Sequence, residues 1–147
     1  MGSLAFLRDL DPEPIRDLLE WDKKTVSALP GAYILLADKG TMFSYPAGRS
    51  PVFYIGQAKG LCGRLGRHRQ EIRQAKLARR RCVYPPVLEY GAAFGARFSY
   101  ITAKRGQHPK ALEDRVMALF AKRYLSLPVA NGAGGWSRIR AIIEKLR

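Results

Sequence analysis

Glu113 is the acid whose position most invites chemistry. A helix beginning after Pro109 and running to about Tyr124 would place Leu112, Val116, Leu119 and Phe120 on one face. An advance of about 100° per residue sets Glu113 between Phe120 and Tyr124, inside that apolar arc. An ionised carboxylate there is costly unless it is paired, hydrogen-bonded or bound to a cation. Two arrangements satisfy it: a structural ion pair with an arginine such as Arg64, or a single Mg²⁺ or Mn²⁺ ion held beside a phosphate. One protein oxygen suffices for the second, because Mg²⁺ retains most of its waters.

Arg64 and His68 lie four apart, so both project from one side of a helix. Arginine can stabilise charge developing on a phosphoryl group through two parallel hydrogen bonds, and histidine can relay a proton near neutral pH. In line with Leu61, Leu65 and Ile72, His68 is equally at home in a core. Tyr33 and Tyr54 fall in apolar strand-like runs, where a tyrosine packs its ring and keeps its hydroxyl at the rim. A phenol with a pKa near about 10 needs neighbouring cations before it can take a proton at neutral pH, and Arg64, Lys59 and a metal ion would supply them. Gly31 and Gly56 are turn or close-approach positions, with Gly56 letting the chain pass tightly from strand to helix.

These residues need elements to position them. Gly31 to Ala37, Pro51 to Ile55 and Arg97 to Ala103 are of strand length, the first two joined through turn residues between Asp38 and Pro51. A helix is expected from Leu61 to about Arg80. Asp11-Pro12-Glu13-Pro14 reads as a helix start, with Ile15, Leu18 and Leu19 at helical spacing and an end before Pro30. Pro85-Pro86 and Gly91 to Gly95 read as interruptions. Pro128 stops the Glu113 helix, Gly132 to Gly135 is a hinge, and Ile139, Ile142, Ile143 and Leu146 form a last amphipathic helix. The expectation is one α/β (α+β) domain: a lead-in over 1–29, a core over 30–132 and a C-terminal helix over 133–147.

Twenty-six Lys and Arg against twelve Asp and Glu leave a formal charge of +14, which favours a polyanionic partner. Eight of the cations lie between Arg64 and Arg81 against one acid, Glu71. Lys59, Arg67, Arg69, Arg73, Lys76 and Arg80 are therefore candidates to track a phosphate backbone. No apolar run approaches the roughly twenty residues that span a bilayer, so no membrane partner is expected. Arg8, Asp9, Asp11 and Glu13 stand where a secretory leader would be apolar. Cys62 and Cys82 lack metal-ligand spacing, and a reducing cytoplasm is the expected compartment.

In order, Leu29-Pro30-Gly31-Ala32-Tyr33, Tyr54-Ile55-Gly56-Gln57-Ala58-Lys59, Arg64, His68, Glu113 and Asn131 resemble the GIY-YIG endonuclease pattern over roughly 100 residues. The steps of ten from Tyr54 to Arg64 and four to His68 match its spacing. The resemblance implies a small three-stranded antiparallel sheet flanked by helices, and cleavage of double-stranded or branched DNA with one Mg²⁺ or Mn²⁺ ion. Carried over, Glu113 holds the metal, Arg64 stabilises the transition state, and Tyr33 or Tyr54 is the general base. The other tyrosine, His68 and Asn131 position it. A homodimer would be the route to double-strand cleavage. The chain departs from the pattern at Ala32, at Gln57, and in an inserted loop from Lys39 to Ser50 that would be free to touch substrate. Two rivals remain: a non-cleaving module that binds nucleic acid through the basic helix over 64–81, and a basic structural protein of a ribonucleoprotein.

Overall fold

The computed structural model describes residues 2–77, 85–132 and 136–144. Its central strand, β2 (Gly31–Leu36), is buried at every position, as an apolar run covered on both faces must be. It pairs antiparallel on one side with a strand at Val52–Ala58 and on the other with one at Arg97–Thr102. With β1 (Arg16–Asp17), a hairpin of β3 (Phe43–Tyr45) and β4 (Gly48–Ser50), and those two strands as β5 and β6, the fold is mixed α/β. The main sheet runs β1-β6-β2-β5, leaving β5 at an edge.

One face of this sheet carries Tyr33, Leu35, Phe98 and Tyr100 against α1 (Leu61–Leu77) and α2 (Pro86–Phe94). The other carries Ala32, Ile34, Leu36, Ile55 and Ile101 against α3 (Pro109–Tyr124). The alternation of β2 thus feeds two cores, and α4 (Trp136–Glu144) adds Ile142 and Ile143 against Ala121 and Leu127. Gly31 is needed here, because a Cβ would overlap the carbonyl oxygen of Ile101 on β6.

Three expectations are corrected. The sheet has four strands rather than three, because the helix expected from Asp11 onward does not form and the helical pieces of the lead-in are short 3₁₀ segments at Ala5–Leu10 and Lys23–Thr25. Pro12 and Pro14 each remove a backbone donor and push the residues before them towards extended geometry. The backbone N–H groups of Glu13 and Leu18 donate instead to Tyr100 and Ala96, and Arg16–Asp17 pairs with β6. Only Leu18 of the expected helical stripe is fully buried, while Ile15 is exposed. Second, the interruption expected at Pro85 to Gly95 is α2. Pro86 occupies its first turn, where a missing N–H costs nothing, and Gly95 ends it at φ +79°.

Third, the segment from Lys39 to Ser50 is a hairpin rather than a free loop. Phe43 packs edge-on against Phe53, Tyr90 and Phe94, and Arg123 donates to the Ala47 carbonyl from the end of α3. The helix α1 is described to Leu77; Arg80, Cys82, Ala133 to Gly135 and Leu146 lie outside the described residues. No helix among the described residues is long and apolar enough to cross a membrane.

Candidate active site

Tyr33 and Gly56 face each other across β2 and β5. A Cβ at Gly56 would stand 2.5 Å from both Cζ and Oη of Tyr33. The glycine is there because the phenol lies over it, a cross-strand role in place of the strand-to-helix turn expected from sequence. This lets the Tyr33 hydroxyl reach Nε2 of His68 on α1, at 2.7 Å. Both side chains are buried, Tyr33 to 1% and His68 to 8% exposure. Tyr54, two residues before Gly56, sets its ring 6.1 Å from Tyr33 and 6.0 Å from His68.

Burial raises the Tyr33 phenol far above its ordinary range, with the Tyr54 phenol adding to the shift and Arg64 opposing it. Tyr54 is also raised, by burial and then by the Glu113 carboxylate, while a hydrogen bond with Tyr33 and the charge of Arg64 pull it back. His68 is pushed down to about 4 by burial and by Arg64, so its resting form is the neutral ring. Its Nδ1 is buried with no hydrogen-bond partner among the described residues. A stranded lone pair costs less than a stranded N–H, which favours the tautomer that donates from Nε2 to Tyr33. That leaves the Tyr33 O–H to serve the neighbouring Tyr54, in keeping with the lowering effect Tyr33 has on that phenol.

Beside Tyr54 lies a cavity of about 190 Å³ lined by Tyr54, Ile55, Lys110, Glu113, Asp114, Met117, Asn131 and Ile142. It sits at the β5 edge, where the α1 face and the α3 face of the sheet meet. Asn131 closes that edge: the Ile55 N–H donates to its Oδ1 at 2.9 Å, and its Nδ2 donates to the Ile55 carbonyl at 2.8 Å. The side chain pairs as a neighbouring strand would, which holds the residue next to Tyr54 in place. Glu113 is largely buried, at 15% side-chain exposure, as its place in the apolar arc required. Its partner is Lys110 at 2.7 Å, one turn back on the same helix, rather than Arg64. The same ammonium lies 3.1 Å from Asp114.

A cation therefore already stands at the Glu113 carboxylate, and the donor set suits a hydrated Mg²⁺ ion resting on one protein oxygen with water and phosphate oxygens around it. Among the described residues no three His, Cys, Asp or Glu side chains converge, so a site with several protein ligands is not built here. Arg64 is exposed and lines a neighbouring hollow with Gln57, Ala58, Lys59 and Gly60. Its charge acts on Tyr33, Tyr54 and His68 alike. Arg64 thus acts on the phenols from α1 and Glu113 from α3, while Lys59 shares only the hollow beside Arg64.

The basic face of α1 divides. Arg69 lies over the Trp21 ring at 5.1 Å and donates to the Trp21 carbonyl, and Arg73 donates to the Leu19 carbonyl. These two arginines fasten the lead-in to α1, so their hydrogen-bonding capacity is partly spent within the fold. Arg67 pairs with Glu71 at 2.8 Å, and Lys76 is exposed. Lys110 and Asp114 were not singled out from the sequence. The signal was their spacing from Glu113, three back and one on, which puts an ammonium within reach of the carboxylate. The chain matches no family model, and no curated protein or solved structure matches it.

Proposed function

We propose that this chain is a metal-dependent DNA endonuclease of GIY-YIG type, hydrolysing phosphodiester bonds by tyrosine-assisted attack of water. One observation carries the reading: Tyr54, Glu113 and Asn131, which are 77 residues apart at their extremes, line a single cavity, with Tyr33 and His68 directly behind Tyr54. The formal charge of +14 supplies the attraction to a polyanion.

Glu113 would hold one Mg²⁺ or Mn²⁺ ion, whose chemistry is to polarise a phosphate oxygen and acidify a bound water. Tyr54, as the phenol lining the cavity, would orient the attacking water through its oxygen; it can take the water's proton only as a phenolate, having first released its own proton to solvent, a form that Arg64 and a bound cation would favour. Tyr33, beside it, would stabilise that phenolate through its hydroxyl. His68 holds Tyr33 in register from Nε2. Arg64 offers two parallel hydrogen bonds to the phosphate and stabilises the charge that grows on it. Asn131 keeps β5 in place beneath Tyr54.

Relaxation of supercoiled plasmid in Mg²⁺ or Mn²⁺ tests the reading. Nicking by the wild-type chain, with losses of about 100-fold or more in Glu113→Ala and Arg64→Ala, is expected. Tyr54→Phe should lose more activity than Tyr33→Phe at equal fold stability. Equal cutting by the wild type and both site variants would refute it. Salt-sensitive binding without nicking would mark a binding module instead.

A further inference from the structure

Lys110 does more than neutralise a neighbour. Its ammonium is shared between Glu113 at 2.7 Å and Asp114 at 3.1 Å, inside the cavity that the catalytic reading gives to a divalent ion. The position is built rather than incidental. His108 accepts the Lys110 backbone N–H at its Nδ1, 3.1 Å away, and so caps the helix at the turn from which the lysine side chain springs. Pro109 is buried beside it and fixes that first turn. Glu113, at 15% exposure, has few directions in which to find another partner, whereas the Lys110 side chain is 57% exposed and has room to swing away.

We infer that Lys110 is an exchangeable counter-ion: it occupies the Glu113 carboxylate in the metal-free protein and must be displaced when a divalent cation binds, so it sets the metal affinity of the site. The inference rests on the nuclease reading, in which Glu113 is the metal ligand. Lys110 takes Oε1 of Glu113, and a divalent ion on either oxygen of that carboxylate would stand close beside the ammonium, where the two like charges repel strongly. The apparent affinity for metal is therefore lowered by whatever the ion pair is worth. The pair is half in water and can be broken at modest cost. Released, the ammonium stays at the rim of the cavity, where a phosphate oxygen is its natural partner.

The test is binding of Mn²⁺ alone to the full chain without DNA, read from the electron paramagnetic resonance signal of free Mn²⁺. Lys110→Met should tighten binding by about fivefold, the scale of one partly exposed ion pair. Lys110→Arg, which keeps the charge, should bind about as the wild type does. Glu113→Gln should abolish the site in every background. Equal or weaker binding by Lys110→Met, with the wild-type site intact and dependent on Glu113, would overturn the exchange and leave the nuclease reading standing. Mn²⁺ binding that ignores Glu113→Gln would overturn both. Circular dichroism melts of each variant establish that the folded chain is being titrated.

Discussion

Replacing Gly56 by alanine should unseat the buried pair at the centre of this site. The added Cβ would stand 2.5 Å from Cζ and Oη of Tyr33 and 2.9 Å from its Cε1, too close for any real contact. A phenol tip can often move aside at little cost, but this one is 1% exposed and bound at 2.7 Å to a histidine that is itself buried. Overpacking in a filled core costs about 1–3 kcal/mol. Moving the phenol would also strand His68 Nε2, worth a further 1–3 kcal/mol or so. The expected loss is about 2–6 kcal/mol, a large part of the roughly 5–15 kcal/mol that holds a domain folded. At about 2–4 °C per kcal/mol for a chain of this size, Tm should fall by about 4–24 °C. Urea unfolding followed by circular dichroism measures it, with an unchanged m-value as the control. A double-mutant cycle with Tyr33→Leu supplies the sharper check, because the substitution at position 56 should cost under about 1 kcal/mol once the ring is gone. A loss below about 0.5 kcal/mol in the single variant, or strict additivity in the pair, would refute the reasoning.

Two further outcomes follow from the same geometry. His68 is held at about 4, below the ordinary 6.5, so its folded-state pKa is depressed; the stability it confers is complete above about pH 6.5 and is lost as pH falls towards 4. The difference in unfolding free energy between wild type and His68→Gln should therefore shrink by about 3 kcal/mol over that window, and urea titrations at about pH 7.5 and about pH 4 would reveal a constant difference if the histidine is not buried as described. Asn131→Ala removes both bonds to Ile55 and should cost about 1–3 kcal/mol, with Asn131→Asp costing more because a carboxylate would face the Ile55 carbonyl. Hydrogen exchange at the Ile55 amide reads this directly, and unchanged protection in Asn131→Ala would show that the edge is held by something else.

Local chemistry was legible wherever one element contained the whole signal. The helix from Pro109 to Tyr124 was readable from its apolar stripe and its proline, and the same periodicity placed Glu113 in the buried arc where it lies. The apolar run from Gly31 to Ala37 was readable as a strand, and the structure makes it one, buried at every position from Gly31 to Leu36. Each of these depends on residues within a few positions of one another, so the chain's own period expresses them.

Whatever depended on the register between distant segments was decided only by the tertiary structure. Helical spacing in the lead-in lost to two prolines and to the open side of β6, which offered its backbone groups a partner. The basic row on α1 looked uniform, yet Arg69 and Arg73 are drawn to the carbonyls of Trp21 and Leu19 because the lead-in crosses that helix. Gly56 could be seen as a position needing space, but that the space belongs to Tyr33 follows from the pairing of β2 with β5. Which phenol faces the cavity followed from the strand order, since Tyr54 stands on the edge strand β5 and Tyr33 on the central strand β2. Composition and periodicity specify what a segment will bury, whereas a site made from five segments exists only once their relative positions are set by packing.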